Sequence, residues 1–361
     1  MKPVTLYFCT MHVDFILIGQ GICGTFLSWE LQKAGYSFLV IDDNKPGTAS
    51  KVAAGIINPV TGRRIVKTWM IDEVMPFAWQ QYTALGKQLQ VTAIEQKDIV
   101  DFFPTPQMKL AYEKRYAEDT QYLSIHNDPD AWSNYFNYDF GYGTITPCYL
   151  VNLPELLPAY RRLLLNDNRL LEEPFDHTQL QVLADTVHYK GFTAQRIIFC
   201  DGIAGFNNPW FSNLPFAPNK GEVLLVEVQD MPTQNIFKKG INWVPWKKNI
   251  FWVGSSYEWD FASDQPTDNF RDKTLAALQQ WIKTPVRLLE HTAAVRPATI
   301  ERRPFIGFHP NQPAIGIFNG MGTKGCSLAP FFAPRLVQHL QYQTPLQPEA
   351  DIQRFKRVLS K

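Results

Sequence analysis

The chain has 361 residues, 45% of them hydrophobic, with 35 Lys plus Arg against 34 Asp plus Glu and a formal net charge of +1. A length of this order suits two domains with sizeable cores. The balanced charge gives no global footprint for nucleic acid, and no apolar run reaches the roughly 18 residues needed to cross a bilayer. Five cysteines, Cys9, Cys23, Cys148, Cys200 and Cys326, form an odd count without paired spacing. That argues against disulfides and a metal cluster and for a reducing compartment. The opening MKPVTLYFCTMH lacks the basic head, long apolar centre and small-residue cleavage site of a signal peptide. The expectation is a cytoplasmic protein.

The first element in chain order is Asp14 to Asp43, DFILIGQGICGTFLSWELQKAGYSFLVIDD. Phe15 to Ile18 is a short apolar run bounded by glycine, as expected of a parallel strand buried on both faces. Gly19 permits a tight turn, Gly21 lets backbone approach a pyrophosphate, and Gly24 lets the following helix lie close to the strand. That helix, Ile22 to about Lys33, aims its free N–H groups at the phosphates. After Gly35, Ser37 to Ile41 forms the second strand. Asp42 then falls where a carboxylate can accept the ribose hydroxyls of an adenosine, and it disfavours a 2′-phosphate. The unit predicts dinucleotide binding without separating FAD from NAD.

Beyond it comes a small-residue stretch, NKPGTASKVAAGIINPVTGRR, where an ordinary crossover helix would be usual. A helix is expected over Glu73 to Lys87, then a Tyr-, Phe- and charge-rich region. An amphipathic helix is expected over Tyr149 to Leu165, with Pro154 near its start. Val187 to Gly202 reads as a hairpin and a buried strand, Arg196 to Cys200, ending at Gly202. Residues 216–293 alternate as strands, notably Ile250 to Ser255, with a helix over Asn269 to Trp281. The aromatics there, Trp243, Trp246, Trp252, Tyr257 and Trp259, are mostly core by pattern. Lys238 and Lys247 each open a Lys-Lys pair that suits a solvated turn better than a binding patch. Near the end Gly316, Gly320, Gly322 and Gly325 crowd ten residues, so the backbone needs positive φ or close approach. A helix beginning near Ser327 would direct its N–H groups toward the ligand of that loop. Pro334 argues for a late start or a kink.

Three stretches carry a resemblance. They are the N-terminal unit with the loop Ser50 to Gly55; PFAPNKGEVLLVE, Pro215 to Glu227; and AVRPATIERRPFIG, Ala294 to Gly307, followed by FNGMGTKGCSLAP, Phe318 to Pro330. In order and spacing they resemble the D-amino-acid oxidase, glycine oxidase and sarcosine oxidase superfamily of FAD-dependent oxidoreductases. The resemblance implies an α/β fold: a Rossmann-type FAD-binding domain over 11–85, 146–215 and 294–361, and an inserted α+β substrate domain on a mixed or antiparallel sheet over 86–145 and 216–293. It implies non-covalent FAD contacted by Gly19, Gly21, Gly24, Asp42, Ser50, Gly55, Gly202, Gly320, Gly322, Lys324 and Gly325. Cys326, beside the glycine loop, is the one position to check for a flavin tether.

The chemistry so implied is hydride transfer from a carbon bearing an amine or hydroxyl to flavin N5, with the flavin carrying the difficult step. What the protein must add is orientation and charge, so the search is for an anion anchor. Arg296 is either a bidentate carboxylate anchor or an ion-pair partner of an acid such as Glu301. Lys324 is the second candidate, Arg63 with Arg64 the third, and Tyr257 a further substrate contact. The histidines, His126, His188, His291 and His309 among them, show no metal spacing and read as structural. The first reading is an amine or amino-acid oxidase or dehydrogenase acting on a small anionic substrate, whose imine product hydrolyses in water. Alternatives are 2-hydroxy-acid oxidation, oxidative trimming of a modified tRNA base, and a flavin-binding subunit without its own catalysis. Substrate identity, electron acceptor and oligomeric state are not legible.

Overall fold

The computed structural model describes residues 11–62, 64–126 and 128–360. They form two compact units, each made of separated segments. The first holds the described residues up to Thr48, Leu157–Pro218 and those from Pro297 on; the second holds Ala49–Leu156 and Asn219–Arg296.

The first unit is built on a mostly parallel sheet. Strand Met11–Ile18 lies between Phe38–Ile41 and Phe192–Phe199 and runs parallel to both. Leu170–Leu171 continues the sheet beside Phe38–Ile41, and Gln312–Asn319 lies parallel to Phe192–Phe199. Val187–Tyr189, Leu180–Val182 and Phe305–His309 add antiparallel pairings. Phe15 to Ile18 are all buried, as covering both faces of a parallel sheet requires. The register sets Ile18 beside both Ile41 and Phe199, and Phe199 beside Ile317. Four parallel strands therefore end together, at Gly19, Asp42, Cys200 to Gly202, and Gly320. In open α/β sheets this carboxyl edge is where ligands bind.

Helix Ile22–Lys33 and the last helix, Gly325–Tyr342, pack against each other in this unit. The last helix starts two residues earlier than its sequence suggests and runs through both Pro330 and Pro334. Each proline removes one backbone donor. Burial of Leu328, Phe331, Phe332, Leu336 and Val337 is the compensating term, at roughly 1.5–3 kcal/mol for each large side chain.

In the second unit an eight-stranded sheet runs in the order Arg287–Arg296, Asn219–Glu227, Ile250–Gly254, Ile241–Lys247, Ile236–Lys239, Ile99–Phe102, Tyr142–Ile145, Leu123–Ile125. Its neighbours are antiparallel except for Ile236–Lys239 beside Ile99–Phe102, so the sheet is mixed, as expected. One face buries an aromatic core of Phe102, Phe136, Phe237, Trp243, Phe251 and Trp281. Trp243 stacks on Phe251 at 4.6 Å between centroids, so this part of the aromatic cluster is core. Helix Asp268–Trp281 covers it with Leu278 and Trp281, and starts where Thr267 accepts the Phe270 N–H. Lys238 donates to Asp101 at 2.7 Å, a structural pairing.

Helix Ile71–Leu89 encloses the expected Glu73 to Lys87 span. The expectation over Tyr149 to Leu165 needs correction. Tyr149–Val151 is a strand pairing with Ile56–Ile57 and Ile94–Gln96, and the helix covers only Leu153–Asn166. The apolar run fits both periods, and backbone partners on either side decide it; Val151 N, for example, donates to Gly55 O at 2.9 Å. Among the described residues no helix is long and apolar enough to cross a membrane.

Candidate functional site

At the carboxyl edge of the first unit the glycine turn is locked by close approach. Gly19 has φ +98°, and a Cβ on Gly24 would stand 1.9 Å from the Gly19 carbonyl oxygen. Only a side-chain-free turn lets the helix close over the strand end. Gly21 is the N-cap of that helix; no side chain caps it, and its first turn holds no acid. The last helix begins in the same state, with Lys324 as an N-cap residue making no side-chain cap. The two amino ends are neighbours, since a Cβ on Gly325 would stand 3.2 Å from Ile22 Cγ2. Paired uncapped amino ends present positive dipole ends and backbone donors to an anion.

Asp42 follows the second strand. Its Oδ2 accepts from Gln20 N at 2.8 Å, and its Oδ1 from Asn44 N at 2.9 Å and Arg161 Nη1 at 2.6 Å. Arg161, on helix Leu153–Asn166, also donates through Nη2 to the Asp42 carbonyl at 3.0 Å. Sequence reasoning missed this buried arginine, whose spacing from Asp42 carries no local signal.

Two further turns share the edge. Gly202 opens the short 3₁₀ turn Gly202–Asn207, and Gly320, Gly322 and Lys324 lie between Gln312–Asn319 and the last helix. Asn319 joins them: its Nδ2 donates to Asp201 Oδ1 at 2.9 Å and to Gly202 O at 2.8 Å, and its Oδ1 accepts from Gly320 N at 2.7 Å. Desolvation by the surrounding protein pushes the Asp201 carboxyl up to about 7, against hydrogen bonds that lower it. Asp201 and Asn319 were not singled out from the sequence; an acid directly before Gly202, where a buried strand ends, was the available signal.

The second unit holds the other group of candidates. Arg296 lies opposite Asn219 across paired strands. Leu224 and Val226 enter the aromatic core, so alternation places Asn219, Gly221 and Arg296 on the opposite face of the sheet. The guanidinium lies flat over Gly221, where a Cβ would stand 1.8 Å from Nη2. It donates to Asn219 Oδ1 at 2.5 Å, Ser255 Oγ at 2.6 Å and Ser256 O at 3.2 Å. Tyr257, 50% exposed, has its ring 5.4 Å from the guanidinium. All these acceptors are neutral, and Arg296 forms no ion pair with a carboxylate among the described residues. Glu301 instead pairs with Arg354 at 3.1 Å. Desolvation lowers the Arg296 pKa, partly offset by Tyr257.

Behind this face a second cluster is complete in itself. Glu222 accepts from Lys220 Nζ at 3.1 Å, Thr267 N at 2.6 Å, Thr267 Oγ1 at 2.9 Å and His291 Nε2 at 2.9 Å. His291 is thus structural, and Lys220 and Glu222 are only 2% and 0% exposed. Ser50 lies in the short helix Ala49–Val52, and Gly55, φ +88°, packs its Cα against the Val151 carbonyl. Arg64 is exposed. Arg63 lies outside the described residues.

The sequence model of the FAD dependent oxidoreductase family (DAO) matches residues 14–338. The fold is similar to glycine oxidase from Geobacillus kaustophilus, with TM-score 0.79 and 17% identity, covering 96% of this chain and 98% of that one. It is also similar to iminodiacetate oxidase from Chelativorans sp. BNC1, with TM-score 0.74 and 17% identity over 93% and 98%. L-proline dehydrogenase from P. horikoshii gives TM-score 0.74 and 14% identity over 96% and 98%. An uncharacterized oxidoreductase, YurR of Bacillus subtilis (strain 168), is 38% identical over 56 residues, 16% of this chain and 15% of that protein. With most of its length matched, the chain belongs to the FAD dependent oxidoreductase family, DAO.

Proposed function

We propose that the first unit holds FAD, without a covalent tether, and that the second presents Arg296 to the anionic group of an amine or amino-acid substrate. The residues fit the cofactor. The paired amino ends at Ile22 and Gly325 suit its phosphates and the charge that reduction places on the flavin. Asp42 has three of its roughly four acceptor positions in use, which leaves one for a ribose hydroxyl. Gly202, Gly320 and Gly322 have positive φ at the same edge.

The observation that carries the substrate reading is Arg296, a half-buried guanidinium whose protein partners are all neutral oxygens. A desolvated cation without a counter-ion favours an anionic ligand, and two of its five donors, one on Nη1 and the one on Nε, are not used by these oxygens. Asn219 and Ser255 hold the guanidinium in place, so substrate orientation is set before binding. FAD, when bound, supplies the acceptor for the hydride leaving the substrate carbon. Lys324 and Tyr257 are the further contacts proposed, and the oxidised amine leaves as an imine that water hydrolyses. Glycine oxidase and iminodiacetate oxidase, whose fold this chain shares, are named for substrates of this anionic amine class.

The test is anaerobic loss of the flavin absorbance band in the holoenzyme, challenged with amino acids, N-methyl amino acids and 2-hydroxy acids. Bleaching by an anionic amine is expected, and Arg296→Met should lower kcat/KM by roughly 10²–10³, the loss of a charge-assisted contact of about 3–4 kcal/mol. Bleaching by hydroxy acids alone, or an unaltered rate in Arg296→Met, would reject the reading.

A further inference from the structure

Asp201 stands where the ordinary design of a dinucleotide site would not put an acid. It follows strand Phe192–Phe199 at the carboxyl edge, and a Cβ on Gly19 would come within 3.4 Å of its Cα. It makes no ion pair among the described residues. Its carboxyl receives one short hydrogen bond, from Asn319, while Asn208 Nδ2 stands at 3.5 Å from the other oxygen. The titratable groups facing it are thiols. They are Cys23 in the first turn of the first helix and Cys200, the residue before it, with Cys326 of the last helix acting on Cys23. Burial pushes Cys23 up to about 12 and Cys200 well above the usual thiol range, so both are neutral.

The pair nevertheless ties together what the cofactor reading needs. Asn319 reaches Asp201, Gly202 and Gly320 at once, and its amide orientation is fixed because Nδ2 meets two acceptors and Oδ1 meets a backbone donor. A Cβ on Gly205 would stand 2.8 Å from Asn319 Nδ2 and 3.1 Å from Asp201 Oδ1, so the turn after Gly202 wraps the pair closely.

We propose that Asp201 acts as a neutral acid that positions the Gly202 and Gly320 turns through Asn319, and that FAD is held tightly only while Asp201 keeps its proton. This rests on the reading that the first unit binds FAD. An ionised Asp201 would be a second anion beside the helix ends that favour the pyrophosphate, with neutral amide donors and no cation among the described residues to offset it. Bound FAD must then raise the proton affinity of Asp201, and by reciprocity loss of that proton must weaken FAD binding.

The experiment is titration of the full-length apoprotein with FAD, followed by flavin fluorescence from about pH 6 to about pH 8.5. In the parent protein Kd should rise with pH, approaching tenfold per unit above the midpoint of Asp201. Asp201→Asn keeps an oxygen for Asn319 but has no proton to lose. It should bind with Kd near the acid-pH value and vary by less than about twofold across the range. Asn319→Leu should raise Kd about tenfold even at about pH 6, with the melting profile confirming a folded chain. If Asp201→Asn retains the parent slope, or Asn319→Leu binds FAD as the parent does, the clamp is wrong while the cofactor reading stands. If the parent apoprotein binds no FAD at any pH, the cofactor reading falls and the clamp with it.

Discussion

Two carboxylates in this chain, one in each unit, are pushed in opposite directions. Glu222 in the second unit is 0% exposed, yet its pKa is lowered: burial pushes it up, but the Thr267 amide and hydroxyl and the Lys220 ammonium outweigh that. The Asp201 carboxyl in the first unit is instead pushed up to about 7, because desolvation outweighs donors that are amides only, those of Asn208 and Asn319 and its own backbone. Depth alone does not set charge; the number and kind of donors do. The two sites also differ in purpose. Glu222 is saturated, with an ammonium, a backbone amide, a hydroxyl and an imidazole at its oxygens, and it ties the start of helix Asp268–Trp281 to the sheet. Asp201 is under-supplied at an edge where a ligand is expected, which is the pattern of a functional group.

The largest effect that would sharpen this contrast is expected from Glu222→Leu. It leaves buried Lys220 with only the distant Glu258 carboxylate, at 4.0 Å, and should lower the free energy of unfolding in urea by roughly 3–5 kcal/mol. A loss below about 1 kcal/mol would mean that the cluster is not structural. Thr267→Val removes one of the four donors and the cap of helix Asp268–Trp281 while leaving the backbone amide in place. A loss of about 1–2 kcal/mol is expected in the same measurement.

Asp201→Asn should act in the opposite sense, and only over part of the pH range. The folded-state pKa of Asp201 is raised above that of the unfolded chain, so the folded state binds the extra proton between about pH 4 and about pH 7. The parent protein loses stability as pH rises through that window and then levels off. Relative to it, apo Asp201→Asn should gain up to roughly 4 kcal/mol across the window, read from unfolding curves at several pH values. A gain that appears only below about pH 4, or a uniform loss, would break the comparison.

How much of this was legible in the sequence follows from how local each signal is. The unit from Asp14 to Asp43 puts strand, turn, helix and acid within one stretch, and Gly19 and Gly24 take the positions their spacing suggests because turn and helix are neighbours in the chain. Arg296 was legible as a residue type at a family signature. Its protein partners were not, because Asn219 and Ser255 reach it through strand register rather than spacing. Arg161 beside Asp42 and Asn319 beside Asp201 are long-range contacts of the same kind. Tyr149–Val151 went unread as a strand because the same apolar run satisfies a helical period, and only its partner strands choose between them.

The interleaving of the two units bears on how this chain is made. Strand Phe192–Phe199 takes Met11–Ile18 on one side, a partner synthesised long before it, and Gln312–Asn319 as a parallel neighbour synthesised long after it. Val187–Tyr189 covers its first residues, but throughout that interval Ile197 to Phe199 lack their second neighbour, and an unfinished sheet edge is the kind of surface that recruits a wrong strand. Any shortened version ending before Gln312 would keep that edge permanently open, so aggregation is its expected fate.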